Sequence, residues 1–442
     1  MKFLTTFRLQ IPQNWLNSTI NMLVTILNSS DQINQTACLL TLEKILFMKD
    51  LNSNVSLVKS AVNDQTTFVE LVGSLVKIAS SSLNIFAMRC LFKTIFLTSE
   101  SYYKHIIESL ANSINEILKM IIANPTEDQF NYFLFETIAL ILKKTSRFEM
   151  SLYTFFSKSI RDNLLIPVQN SITDLMSYIF QIFTLELSII PQNVLDSEVL
   201  YASLLESIIY QQTNWSLQMK YLFKPFISYI KVSFIKMKNY YLIKKENLDQ
   251  IFVIVNNLLG IKNYPLALEL IDALMNYFDF SLIFENIKNV FYNIIVIHKN
   301  IKETNKKAYR EFSKLLIVFL SKLLIKTNSK VLIEILEGFS SGLTVTLLSE
   351  LCEFLIDLDS NKNKKLVTFA YCQIINDYFS AFDIDTLRLF TYKLIQHLEK
   401  FYKINLNSLG DMNKLFDTQD FTYSANNYNK LFNAEVAVIL FS

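Results

Sequence analysis

Three histidines, His105, His298 and His397, and four cysteines, Cys38, Cys90, Cys352 and Cys372, are the side chains from which this 442-residue chain would have to build nucleophilic or metal chemistry. General acid–base work requires a base within hydrogen-bond reach of its nucleophile. Each histidine stands on a separate apolar-periodic segment, and a satisfied surface or edge position is expected for all three. The cysteines are isolated in apolar contexts, without Cys-x-x-Cys and without histidine at metal spacing. They read as buried thiols of a reducing, nucleocytoplasmic compartment. Glu43, Glu136 and Glu186 sit in apolar runs and would be the candidates for paired carboxylates. Their separation in an elongated chain argues against pairing, and each is expected to bond a neighbouring helix or inter-helix loop instead. P-loop, HExxH and GxSxG patterns do not occur. These residue types predict no catalytic, cofactor or metal site, and they leave any partner-binding residues unspecified.

The elements that would position such residues are helices. Five Gly and six Pro leave few tight turns and no Gly-rich loop. Apolar residues recur at helical spacing over Asn14–Leu27 and Ile33–Met48, with Asp31 as an N-cap, and then over Phe68–Ala79, Asn84–Leu97, Tyr102–Ala123, Phe130–Lys144, Leu152–Leu165 and Ile172–Ile189. The rhythm continues over Leu195–Tyr210, Leu217–Met237, Leu248–Leu259, Ala267–Phe278, Ile283–Ile297, Lys306–Ile325, Val331–Phe339, Val345–Leu358, Lys365–Ala381 and Leu387–Tyr402. Two helices per period of about 40 residues predict an all-α fold, an α-solenoid superhelix of HEAT-type, armadillo-like repeats, with roughly ten units. The array is expected over residues 1–404, and an Asn- and Asp-rich tail over 405–442.

Hydrophobic content of 51% follows from stacking, because each helix of an array buries a wide stripe against two neighbours. A membrane span is not expected. The most apolar runs, Leu315–Ile325 and Leu175–Leu185, reach about half of the roughly 20 residues a span needs. Met1–Gln10 lacks the h-region and cleavage site of a secretory signal. Net charge of +2 provides no global field to collect nucleic acid, although 220–245 and 299–330 are locally basic. Those runs are either solvated helix faces or contacts for an acidic protein partner. Phe133-Leu134-Phe135, Tyr153-Thr154-Phe155-Phe156 and Tyr240-Tyr241 are expected to be mostly core, with exceptions on concave faces.

Asn124-Pro125, followed by Phe130-Asn131 and Phe135-Glu136, resembles a segment of the CAS-type exportin family, the importin-α re-exporters, in which an Asn-Pro turn precedes a helix reading Phe-Asn-x-x-x-Phe-Glu. The likeness extends in order in both directions. Phe7-Arg8-Leu9-Gln10-Ile11-Pro12 with Ile20–Leu23, and Thr36-Ala37-Cys38 with Leu42–Met48, are similar to upstream family motifs. Ile166-Pro167 with Tyr178-Ile179-Phe180-Gln181-Ile182, and Asp417–Ala434, are similar to downstream ones. Asn124-Pro125, Asn131 and the Asp417–Tyr423 stretch count most, since no packing reason for them is visible in the sequence.

The resemblance implies a nuclear transport receptor rather than an enzyme. Its expected partners are importin-α as cargo and the GTP-bound Ran GTPase, bound by protein–protein contact without cofactor, metal, nucleic acid or membrane span. It also implies that the chain corresponds to the family's C-terminal half, with the N-terminal repeats that carry the main Ran-binding surface outside it. The alternative is a generic HEAT-repeat scaffold, such as a trafficking or assembly subunit.

Overall fold

The computed structural model describes residues 12–29, 31–48, 64–125, 128–192, 220–358, 360–378 and 384–408, with a few isolated positions between them. The motif residues Phe7–Ile11, most of the Leu195–Tyr210 helix and the Asp417–Ala434 motif lie outside these residues. All regular elements among the described residues are helical. The chain divides into two compact units. The first comprises, among the described residues, 12–192 and 220–232; the second comprises 233–408.

In the first unit the helices are α1 (Gln13–Leu27), α2 (Gln32–Leu46), α3 (Gln65–Ser82), α4 (Ile85–Leu97), α5 (Ile107–Ala123), α6 (Asp128–Phe148), α7 (Met150–Gln169) and α8 (Thr173–Ile189). Side-chain caps set several starts. Asp31 accepts from the backbone N–H groups of Ile33 and Asn34, Asp64 from Thr67, and Asn84 from Phe86 and Ala87. Each cap satisfies donors that the first helical turn leaves orphaned. The expected helix from Tyr102 begins later, because Glu100–His105 winds as a 3-10 turn and α5 starts only at Ile107. Tyr103 anchors that turn, its hydroxyl donating to the Ile95 carbonyl at 2.9 Å.

A helix α9 (Lys220–Lys236) belongs to the first unit up to Val232 and to the second from Ser233. The second unit continues with α10 (Lys238–Ile243), α11 (Lys245–Gly260), α12 (Tyr264–Tyr277), α13 (Phe280–Thr304), α14 (Lys306–Lys326), α15 (Ser329–Glu337), α16 (Leu343–Cys352), α17 (Asn361–Tyr378) and α18 (Ile384–Ser408). The expected single helix to Leu358 is split, with α16 stopping at Cys352 and a 3-10 turn at Leu355–Asp357. α18 runs on to Ser408, past the expected start of the tail at 405.

Packing in both units is between elements close in chain order: a helix touches the next helix, the one after it, or both, and α14 also reaches α17. Thus α4 meets α3, α2 and α6, α5 meets α7, α12 meets α11 and α14, and α14 meets α13 and α17. No helix closes a separate core; the buried stripe runs along the array. Leu91, Phe135, Ile138 and Ile179 of the first unit, and Ile271, Phe291, Leu316 and Leu323 of the second, are buried. By length and composition α13 also passes for a membrane-crossing helix. Its buried residues Ile283, Ile287, Val290, Phe291 and Ile294 recur at helical spacing, while half-buried Asn286 and exposed Asn293 bond α11. It is an amphipathic member of the array.

Candidate partner-binding surface

The histidines, cysteines and glutamates are dispersed, and most of the buried ones bond a structural neighbour. His105 is exposed, as expected. His298 and His397 are not: both are buried, contrary to the surface or edge position their sequence context predicts. The ring of His298 lies between α13 and α14, with Nε2 3.1 Å from Ser313 Oγ and Tyr309 against its face. Burial pushes its pKa down to about 4, the Glu350 carboxylate opposing that shift and Lys302 adding to it. His397 Nε2 lies 3.4 Å from the Lys364 carbonyl.

Cys38, Cys90 and Cys352 are buried thiols, whereas Cys372 is exposed, against expectation. Burial raises Cys38 to about 11 and Cys352 to about 12, and holds Cys90 well above an ordinary thiol. Such groups stay protonated and unreactive at neutral pH. No group of three or more His, Cys, Asp or Glu suited to a metal ion occurs among the described residues.

The three glutamates bond neighbouring groups. Glu43 of α2 pairs with Arg89 of α4 at 2.5 Å. Glu186 of α8 accepts from Ser157 Oγ of α7 at 2.5 Å, and Arg161 Nη2 donates to the same hydroxyl at 3.1 Å. Glu136 is buried and hydrogen-bonds Tyr132 on its own helix; Tyr132 is raised by burial first and by this carboxylate second. Neutral and charged partners alike are used to bury polar groups at low cost, which is a structural duty.

The motif helices meet in space. Phe135 of α6 stacks on Tyr178 of α8 with ring centroids 5.0 Å apart and an interplanar angle of 8°. Asn131 is buried, and its Nδ2 donates to the Pro125 carbonyl at 3.0 Å. The sequence shows no packing reason for Asn131 beside Asn124-Pro125. The fold supplies one, because the side chain ties the start of α6 to the Pro125 carbonyl. The aromatic runs are core for the most part, with Phe133, Phe135, Tyr153, Phe156 and Tyr241 buried and Phe155 exposed.

What remains available is surface. Successive repeats are tied by polar contacts along exposed faces. Asn286 and Asn293 of α13 donate to Asp249 and Asn256 of α11 at 2.8 and 2.9 Å, and Asn163 of α7 donates to Asn115 of α5 at 2.9 Å. In the second unit a groove of about 480 Å³ runs between α12, α14 and the start of α17. Leu268, Leu315, Val318, Phe319 and Leu358 form its apolar lining, with Glu269, Asp272, Glu311, Lys314 and Lys322 among its polar residues. Asp272 bonds Lys322 at 2.7 Å and Lys326 at 3.2 Å, and Glu311 bonds Lys314 at 3.4 Å. A groove with an apolar lining and paired charges suits a polypeptide segment. Nothing in the sequence signalled it, because its residues come from three helices.

Comparison with known proteins agrees with these observations. The family model described as CAS/CSE protein, C-terminus, matches residues 43–437. Exportin-2 of Danio rerio is 24% identical over 218 residues, which are 48% of this chain and 22% of that protein. Exportin-2 of Homo sapiens is 25% identical over 219 residues, with the same shares. The importin alpha re-exporter of Saccharomyces cerevisiae is 27% identical over 205 residues, 44% of this chain and 21% of its own length. The solved structure of the exportin Cse1 in its cargo-free, cytoplasmic state superposes with a TM-score of 0.68 at 18% identity, covering 99% of this chain and 42% of that one. The fold is therefore the helical solenoid of that exportin, and the matched stretch is about a fifth of the curated relatives' length. With nearly all of its residues under one family model, and the motif helices α6 and α8 packed on each other, the chain belongs to the CAS/CSE protein family, in the part described as its C-terminus.

Proposed function

We propose that this chain acts by protein–protein binding as part of a nuclear export receptor that carries importin-α from nucleus to cytoplasm together with the GTP-bound Ran GTPase, shuttling through the nuclear pore. The observation that carries this reading is the family match over residues 43–437, joined to a relative described as an importin alpha re-exporter. The dispersal of the titratable side chains into structural bonds supports a role in binding rather than in bond-making chemistry.

A solenoid exporter gains cooperativity by holding cargo and GTPase at once, each site raising the affinity of the other by about 1–3 kcal/mol, or 5–150-fold. The chain spans 42% of the exportin it superposes on. Alone it is expected to bind importin-α weakly and with little dependence on Ran, and repeats equivalent to the rest of that exportin should restore the dependence. Titrating importin-α with and without GTP-bound Ran tests this. Strong Ran-dependent tightening by the 442 residues alone overturns the assignment of the Ran surface to other repeats. Absence of importin-α binding in both the short and the extended protein returns the reading to a generic scaffold.

A further inference from the structure

The charges of α13, α14 and α17 are one-sided once their ion pairs are set aside. α13 ends at Thr304 and α14 begins at Lys306, so the two form a hairpin around Asn305. Around that hairpin Lys302 is held by Glu350, Arg310 by Asp357 and Lys314 by Glu311. Lys299, Lys306 and Lys307 remain exposed, without an ion-pair partner among the described residues, against the single exposed carboxylate of Glu303. Lys362 adds another exposed ammonium in the first turn of α17. This turn belongs to the same neighbourhood, because α17 packs on α14 and its Asn363 lines the groove with Glu311 and Lys314.

Lys306, Lys307 and Lys362 stand where a fold selected for stability alone would avoid them. Neither α14 nor α17 has an acidic residue in its first turn, where a carboxylate would favour the dipole and a cation opposes it. A local rule broken on an exposed surface without compensation within the fold points to a ligand. The groove with its apolar lining of Leu268, Leu315, Val318 and Leu358 follows along the same helices, Lys307 standing four positions before the lining residue Glu311 on α14 and Lys362 next to the lining residue Asn363 on α17. Of the three carboxylates there, Asp272 and Glu311 are matched by Lys322, Lys326 and Lys314, and the third, Glu269, stands on α12.

We propose that this cationic rim and the groove next to it are a docking surface for an acidic protein segment that interleaves Asp or Glu with aliphatic side chains. Carboxylates would meet Lys299, Lys306, Lys307 and Lys362 while the aliphatic residues enter the groove. Charge complementarity of this kind raises the on-rate and fixes the register. A single-stranded nucleic acid fits the groove less well, because base stacking needs exposed rings and the exposed rings of α13 and α17, Tyr292 and Phe369, are not among its lining residues. Phe319, the aromatic residue of the groove, is only 3% exposed. The surface goes beyond the importin-α reading and stands whether or not that reading holds.

The test uses the full 442-residue chain and a fluorescent peptide of Asp-Glu-Leu repeats, with an Asn-Gln-Leu peptide as the uncharged probe. Wild-type protein should bind the acidic peptide and not the uncharged one, and binding should weaken as ionic strength rises to about 0.15 M. Combining Lys299→Gln, Lys306→Gln, Lys307→Gln and Lys362→Gln should weaken binding about tenfold or more. The corresponding Lys→Arg combination should retain it. The same number of changes elsewhere, Lys44→Gln, Lys77→Gln, Lys104→Gln and Lys119→Gln, should leave it unchanged. Equal loss in both Lys→Gln sets, or no binding of the acidic peptide, overturns the proposal. So does tighter binding of single-stranded RNA or phosphatidylserine vesicles that is lost in the first set.

Discussion

Lys144 extends from α6 to the end of α4 and donates from Nζ to the carbonyls of Ile95, Phe96 and Thr98 at 2.9, 3.0 and 2.6 Å. Those carbonyls are the ones a helix leaves without intrahelical partners, and they form the negative end of its dipole. Lys144→Met keeps the aliphatic stem and removes the charge-assisted bonds, so it should destabilise the chain by about 2–3 kcal/mol in chemical denaturation. His298 carries a second expectation at this scale. Its pKa in the fold is about 4, against the ordinary 6.5 in the unfolded chain. The unfolded state therefore binds more protons between these values. The contribution of His298 is fully present above about pH 6.5 and is lost as pH falls towards 4, by up to about 3 kcal/mol. Stability measured against pH should show a shallower fall over that window in His298→Gln than in the wild type. Neither residue's role is visible from its place in the sequence. Lys144 is one lysine among many, and the burial of His298 depends on α14 folding over it.

The helices themselves are written locally. Apolar residues at helical spacing, Asn and Asp at the starts, and polar breaks between give most elements in the right order, and Asp31 caps α2 as its position predicts. Boundaries fail where backbone geometry rather than composition ends a helix. α7 runs through Pro167 to Gln169, and the turn is closed by left-handed Ser171 (φ 55°) with the Ile172 N–H donating to the Pro167 carbonyl at 2.8 Å. α11 ends the same way, with Lys262 at φ 62° and the Asn263 N–H donating to Leu258 at 2.8 Å. This is the helix stop that normally uses glycine. A side chain in the left-handed region costs roughly 1–2 kcal/mol, part of which glycine returns as unfolded-state entropy. Lys262→Gly should therefore raise stability by about 0.5–1 kcal/mol, read as a higher denaturation midpoint at unchanged slope.

At the scale of the whole molecule, each unit is held by contacts between elements close in chain order, which is how a helical array packs. The sequence by itself determined the class of this fold. Scarce glycine, helical periodicity and a repeat near 40 residues are local quantities, and packing confined to near neighbours in sequence preserves them in three dimensions. The order of the short motifs carried the family for a related reason, since Phe135 and Tyr178 sit one repeat step apart and meet as sequence neighbours of the array do. Only the tertiary structure decided which polar residues are internal bonds and which are surface. Asn131 turned out to tie the start of α6 to Pro125 and Glu186 to join α7 to α8. Lys302 and Arg310 turned out to be matched by Glu350 and Asp357 while Lys306 and Lys307 remain exposed. The physical reason is that a charge is cancelled or left open by groups roughly 40–50 positions away, one repeat further along, and a linear reading of composition does not bring those positions together.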